Sequence, residues 1–469
     1  MTALRIAGDV RFFVLGDEGV LFSESRQELY ALNASATLLW CLIDDGVTLE
    51  QLVARYADAF GLERAPAERH VHPALRRWFA AGHLADPGIA GPGDLPFAEA
   101  LAYLLTNRPL RDVFRSSADH VTDAIGVASE DRAPFATLDP DEVDQLAEQI
   151  AEARHNQRFT PGPAVATLDQ PERFDAAAST RRSRATVARI VRFIGTTFQL
   201  NLPPTVDASV LSALGHLAAD NVVPDVVLDV DDTDRGCVVL DGIMPLGWCP
   251  DVRMFVPVLK LLLRTLAVSR ESYFMELHAG VVMIGDAVVL LPGSAGRGKT
   301  TLTAGLARHG GRYFSDEIAL LEEESLDVRP VPMSMTIKPG SIEPLAVLYP
   351  ELKGLDEHLR EDRQPVRYLP PPPESRCPAN QTSRRARWVV FPHYEEDGDT
   401  VLSPVSPARG LKRLLDESLV LPDVLDRRSV ERLLEWARQL TFYDLRISSL
   451  DAGVRAVLDL PHRTDPGAA

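Results

Sequence analysis

Eight residues constrain this chain more than any others: Gly293-Ser294-Ala295-Gly296-Arg297-Gly298-Lys299-Thr300, a complete G-x-x-x-x-G-K-[ST] run. Glycines at these positions let backbone N–H groups curl around phosphate oxygens at a distance that side chains would forbid. The loop needs a strand before it and a helix after it, because the helix N-terminus adds partial positive charge. The flanks meet that demand. Ala287–Leu291 reads as a buried strand, Thr301–Arg308 as a helix, and Gly310-Gly311 as its stop. Lys299 would reach the β- and γ-phosphates of a nucleotide, and the Thr300 hydroxyl would ligate magnesium. Thr301 closes the candidate nucleotide-binding set.

Shortly downstream, Arg312-Tyr313-Phe314 reads as a strand that ends in Ser315-Asp316-Glu317. A short helix returning to an adjacent parallel strand would bring that strand's C-terminal end beside the phosphates. Of two carboxylates placed there, one can hold Mg²⁺ and the other can accept the proton of an attacking hydroxyl. Upstream, Leu277-His278-Ala279-Gly280-Val281-Val282 and a tight Gly285-Asp286 turn would place His278 on a strand antiparallel to the nucleotide strand. A histidine beside an apolar run is as readily structural as catalytic.

The remaining chain is divided by two breaks. Asp86–Pro96 is rich in Pro and Gly, and a second polar stretch runs over Arg158–Ala185. They suggest three parts: residues 1–86, 87–180 and 181–465, within a 469-residue chain too long for one core. In the first part, Arg11–Leu15 and Gly19–Ser23 flank a Gly16-Asp17-Glu18 turn and predict a hairpin, with a short run at Glu28–Leu32. Three helical patterns follow: one with Ala36, Leu39, Trp40 and Ile43 inward, one starting at Thr48 with Leu49, Leu52, Val53 and Tyr56 inward, and one near His72–Ala81 with Leu75, Trp78 and Phe79. The middle part carries one clear helix, capped by Asp139 with Glu142 completing a capping box, and Val143, Leu146, Ala147 and Ile150 inward. It reads as scaffold or spacer.

Net charge is −18, which argues against general nucleic-acid binding. The most apolar stretch, Met254–Val268, is interrupted by Pro257, Lys260 and Arg264 and is too short to span a bilayer, so it reads as a buried amphipathic helix. The start has no secretory pattern. Cys41, Cys237, Cys249 and Cys377 form no C-x-x-C pair and read as reduced thiols. A cytoplasmic location is the expectation, with no nucleic-acid or membrane partner and with homo-oligomerisation left open.

The run HAGVV, GD, AVVLLPGSAGRGKT, TLTAGLARHG, RYFSDE resembles HPr kinase/phosphorylase and its related proteins, whose fold is like that of phosphoenolpyruvate carboxykinase. The best-matched stretch is about Phe274 to Leu321. Weaker likeness extends over Arg182 to Leu460 and includes Pro332–Ser341, Val366–Pro370 and Trp388–Pro392. The resemblance implies an α/β P-loop kinase domain using ATP and Mg²⁺. Asp316 would be the base toward a target hydroxyl, Glu317 its partner at magnesium with Thr300, and His278 the active-site histidine beside Lys299. Lys338 is a further candidate contact. Where the family has a second Asp, this chain has Glu317. It also lacks the glycine-rich E-x-R-G-x-G-like signature of true HPr kinases, so HPr itself is not implied as the acceptor.

The stretch GVLFSESRQELYALNASATLLWCLIDDGVTLEQLVARY resembles PqqD, a small peptide-chaperone family with an α+β, winged-helix-like fold. That likeness implies a peptide or protein substrate whose leader adds as a strand to the edge of the N-terminal sheet, with the helix bearing Leu39, Trp40 and Ile43 flooring the groove. Together the two resemblances imply a Ser/Thr-type hydroxyl kinase acting on a ribosomally made precursor. A small-molecule kinase, for free serine for example, and a nucleotide-gated binding protein remain the alternatives.

Overall fold

The structure is a computed structural model. It describes residues 4–84, 97–106, 108–125, 127–128, 131–147, 185–294, 296–377, 382–395, 398–420 and 425–463. The expected linkers, Asp86–Pro96 and nearly all of Arg158–Ala185, lie outside the described residues, as do Ala295 and Ile150. The chain divides into two compact units. The first comprises Met1–Thr160, Pro407–Lys412 and Asp423–Arg438, and the second the remainder.

In the first unit, β1 (Val10–Leu15), β2 (Glu18–Ser23) and β3 (Glu28–Leu32) form an antiparallel sheet in the order β1-β2-β3. Leu15 pairs with Glu18, so the expected hairpin closes on two residues. Gly16, at φ +69°, takes the first of them, where a two-residue hairpin favours glycine. Helices α1 (Ala34–Asp44), α2 (Leu49–Phe60) and α3 (Arg64–Ala80) follow. Asn33 caps α1 by accepting from the Ala36 N–H, and Thr48 and Gln51 form a capping box on α2. Leu39, Trp40 and Ile43 lie in the core, with Trp40 edge-on to Trp78 at 5.1 Å between ring centroids. All three side chains are buried in that core.

Of the two roles expected for it, scaffold or spacer, the middle segment takes the first. Helices α4 (Phe97–Thr106), α5 (Arg108–Ser116), α6 (Ala118–Ile125), α7 (Arg132–Ala136) and α8 (140–147) add Leu104, Phe114, Phe135 and Val143 to the core that begins at Leu4. Asp139 caps α8 by accepting from the Asp141 and Glu142 N–H groups. Leu146, expected to face inward, is 42% exposed.

A helix from far downstream, Arg427–Arg438, also belongs to this unit and buries Val430, Leu433, Leu434 and Trp436. Polar stitches hold it and its approach. The Gln27 amide donates to Leu425 O at 3.2 Å and accepts from Leu425 N at 2.6 Å. Arg438 donates to Val14 O on the outer edge of β1 at 2.7 Å, and Ala408 N–H donates to Glu18 at 3.2 Å.

The second unit opens with a five-stranded sheet in the order β4 (Val187–Phe193), β5 (Thr196–Leu202), β6 (Val226–Thr233), β7 (Gly236–Asp241), β8 (Met244–Cys249). Helices α9 (Pro204–Leu214) and α10 (Phe255–Val268) pack on it through one apolar cluster. No disulfide joins any of the four cysteines. Then come β9 (Tyr273–Leu277), β10 (Ala279–Ile284), β11 (Ala287–Pro292), α11 (Lys299–Arg308), β12 (Arg312–Ser315), β13 (Ala319–Glu322), β14 (Val328–Arg329), β15 (Met335–Ile337) and α12 (Pro339–Ala346). They are followed by β16 (His358–Leu359), β17 (Pro365–Leu369), β18 (Ala386–Tyr394), β19 (Val401–Val405), β20 (Ser418–Val420) and β21 (Thr441–Ile447).

The six-stranded sheet that carries the glycine-rich loop has the order β12-β10-β11-β18-β21-β19. β11, β18 and β21 are mutually parallel, and β10 is antiparallel to both of its neighbours. β12 is therefore parallel to β11 but not adjacent to it, because the β10–β11 hairpin puts β10 between them. Its C-terminal end still opens on the side of the loop. Among the described residues, no helix is long and apolar enough to cross a membrane.

His83 supplies a test of the first unit's core. It is 1% exposed, and among the described residues neither ring nitrogen has a hydrogen-bond partner. Burial, then Arg26, lowers its pKa to about 4. The folded value lies below the unfolded one, so its stabilising share is present above the unfolded pKa near 6.5 and is lost as pH falls toward 4. His83→Phe should leave stability at pH 7 unchanged or raised, and should remove up to about 3 kcal/mol of the loss between pH 7 and 4. Urea unfolding across that range measures both.

Candidate functional site

The loop between β11 and α11 has the backbone its glycines permit. Gly293, Gly296 and Gly298 sit at φ +153°, +87° and +88°. Gly298 is the N-cap of α11, and no side chain caps that end. The first N–H groups of the helix are thus free of a side-chain acceptor and face an anion site. Lys299 is buried, and its Nζ turns back to donate to the Gly293 and Ser294 carbonyls, the latter at 3.1 Å. Burial lowers its pKa to about 8. Thr300, at the next position, is partly buried. The Thr301 hydroxyl donates to Ser341 of α12 at 2.7 Å, and Arg297 bonds His393 at the end of β18. Ala295 lies outside the described residues.

Asp316 and Glu317 follow β12 directly. Asp316 is 4% exposed, with Oδ2 accepting from Thr336 N–H at 2.8 Å and Oδ1 lying 3.0 Å from the Tyr313 hydroxyl. That hydroxyl is also 2.8 Å from Met333 O. The hydroxyl donates to one or the other of these oxygens. Burial, then Glu317, raises the Asp316 pKa to about 6. Glu317 is only partly buried and accepts from the Thr336 hydroxyl at 2.7 Å. Burial opposes its charge too, but Lys260 and Arg264 outweigh it and hold its carboxyl low.

Lys260 is the residue that sequence reasoning missed. It projects from α10 into the same space, 5% exposed, and its ammonium has three partners. It donates to Ser334 O at 2.7 Å and Thr336 Oγ1 at 3.3 Å, and lies 4.1 Å from the Tyr368 ring centroid. Lys260 and Glu317 carry opposite charges in this space. The only signal was a lysine inside an otherwise apolar helix, read as an interruption.

His278 lies in the break between β9 and β10 rather than within a strand. Burial, then Lys299, lowers its pKa to about 4, so its ring is neutral at pH 7. Its backbone N–H donates to Glu417 O at 2.9 Å. Glu417 is a second residue that the sequence did not flag. It follows the helix Pro407–Asp416, and burial raises its pKa against the opposing pull of Lys299. Lys338, the N-cap of α12, adds positive charge near Lys299 and His278. Among the described residues no three His, Cys, Asp or Glu side chains group as a metal site. A magnesium ion here would take one or two protein oxygens and complete its shell with phosphate and water, as is usual for that ion.

Residues 18–84 match the family model for coenzyme PQQ synthesis protein D (PqqD), so the N-terminal module is PqqD-like. Comparison with curated proteins gives no match. Among solved structures, "TbiB1 in Complex with the TbiA(beta) Leader Peptide" aligns at 24% identity with a TM-score of 0.17, covering 17% of this chain and 93% of that chain.

Lys260→Met removes the cation from between the two carboxylates. Breaking a buried pair from one side costs about 3–5 kcal/mol, so this variant should unfold well below the parent. Denaturant titration at pH 7 checks the expectation.

Proposed function

We propose that this protein is an ATP-dependent kinase that transfers the γ-phosphoryl group to a Ser or Thr hydroxyl on a ribosomally made precursor peptide. The observation that carries this reading is the arrangement of Asp316 and Glu317 at the loop end of the sheet that holds the complete glycine-rich loop. A simple nucleotide-binding switch has no need of a buried carboxylate poised to gain or lose a proton there. Lys299 would leave the Gly293 and Ser294 carbonyls for the phosphates, and the loop amides and the start of α11 would hold the remaining charge. Mg²⁺, held by Thr300 with Asp316 or Glu317, would neutralise the phosphate oxygens. Asp316 would take the proton from the acceptor hydroxyl as its oxygen attacks phosphorus. Its raised pKa suits that task, because a base works best when its pKa lies near the working pH.

One observation favours a second assignment within the same reaction. Both Asp316 oxygens are engaged, whereas Glu317 is the more exposed of the pair. In that version Glu317 receives the proton and Asp316 positions Thr336.

The PqqD-like domain supports delivery of a peptide. Its β3 ends the three-stranded sheet, and its outer N–H and C=O groups can pair with an added strand. The opposite edge, β1, already has Val14 O bonded to Arg438.

Two experiments test the reading. Lys299→Ala should weaken Mg-ATP binding sharply in calorimetry. Asp316→Asn should lower transfer to the precursor about 10²–10⁴-fold with Mg-ATP affinity nearly unchanged. Loss confined to Glu317→Gln would transfer the base role to Glu317, full activity in both variants would remove the base role from the pair, and no transfer by the parent protein would refute the kinase reading. For the peptide, proline placed in turn at Tyr30 and Ala31 removes an N–H from opposite edges of β3. One substitution should break the β2–β3 ladder and lower Tm. The other should keep Tm and Mg-ATP affinity while weakening precursor binding about tenfold or more, as read by fluorescence anisotropy.

A further inference from the structure

Tyr394, the last residue of β18, is a large aromatic side chain left 53% exposed. Its place in the sheet is fixed. β18 runs parallel to β11 on one side and to β21 on the other, and its register with β21 is unbroken from Trp388 to Tyr394. The backbone is held past the strand end as well, where Glu395 N–H donates to Ile447 O at 2.9 Å. Side chains alternate along such a run, so Tyr394 shares a sheet face with Trp388 and Val390. Those two belong to one apolar cluster with Leu302 and Leu306 of α11. Tyr394 therefore stands on the face that carries α11.

It also stands beside the glycine-rich loop. A Cβ placed on Gly298, the N-cap of α11, would lie 3.8 Å from the Tyr394 Cβ. Arg297 ties the loop to the same strand end through its bond to His393. The strand order decides what can lie there. β12, which leads into Asp316 and Glu317, is two strands from β11 on one side, and β18 adjoins β11 on the other. A nucleotide with its phosphates in the loop and its γ-phosphate toward the acidic pair runs its other end away from that pair, toward β18. Among the described residues the Tyr394 hydroxyl has no hydrogen-bond partner and its ring has no aromatic neighbour. An open ring in that position offers a face on which a base can stack.

We propose that Tyr394 is the stacking platform for the base of the bound nucleotide. The proposal rests on the reading of the loop as a nucleotide site and adds the base subsite to it. The nucleotide then lies across the end of the sheet, with its base over β18 and its γ-phosphate on the β12 side.

Calorimetry of the full-length parent, Tyr394→Ala, Tyr394→Phe and Lys299→Ala against Mg-ATP and Mg-tripolyphosphate tests it. Tripolyphosphate carries the phosphates without the base. The side chain is half-exposed, so its removal leaves the core intact. Tyr394→Ala should weaken Mg-ATP about tenfold or more and bind Mg-tripolyphosphate as the parent does, and Tyr394→Phe should match the parent for both. Unchanged Mg-ATP affinity in Tyr394→Ala overturns the proposal. So does an equal loss of tripolyphosphate affinity, which would make the ring a support of the loop. Failure of the underlying site reading looks different. In that case the parent binds neither ligand, or Lys299→Ala binds both as tightly as the parent.

Discussion

A lysine placed where water cannot reach it governs the interior of the second unit. Its charge would be intolerable alone. The Lys260 ammonium is accommodated because Ser334 O, Thr336 Oγ1 and the face of Tyr368 surround it, and because Glu317 carries the opposite charge one hydroxyl away. That arrangement requires α10, β12, β15 and β17 to meet within the reach of one side chain. Remove the charge and Thr336 loses its reason to point where it does. Both carboxylates depend on Thr336, one through its amide and one through its hydroxyl.

The raised pKa of Asp316 follows from the same constraint. Two carboxylates and one lysine in a common buried space leave one negative charge too many, and the carboxyl with the poorer access to water is the one pushed up. The Tyr313 hydroxyl can donate to it or to Met333 O. Polar groups at the loop end of this unit are thus arranged in advance around charge.

What could be read from the sequence was what is local. The glycine-rich loop, its flanking strand and helix, the β1–β2 hairpin and the caps at Thr48 and Asp139 are each specified within a few consecutive residues. The acidic pair was legible for the same reason. What escaped depends on contacts between distant stretches. Lys260 precedes the acidic pair by more than fifty residues, and Glu417 follows it by a hundred. No spacing rule links them. The position of β10 between β11 and β12 is decided by hairpin pairing, which the pattern of a strand, a helix and a strand cannot reveal. The middle segment could be read only as scaffold or spacer because it carries no motif, and its packing against the N-terminal core shows it as part of that core.

The path of the chain near its end has a practical meaning. It joins the first unit at Pro407–Lys412, leaves it, rejoins at Asp423–Arg438 and leaves again. The PqqD-like module is therefore no bead on a string. Cutting after residue 84 would strip the helix Arg427–Arg438 of the sheet it is stitched to and lay Leu433, Leu434 and Trp436 bare to water. A gene rearrangement that swapped the N-terminal segment alone would deliver a module with a missing wall. A graft of the PqqD-like part onto another protein must therefore carry Asp423–Arg438 with it.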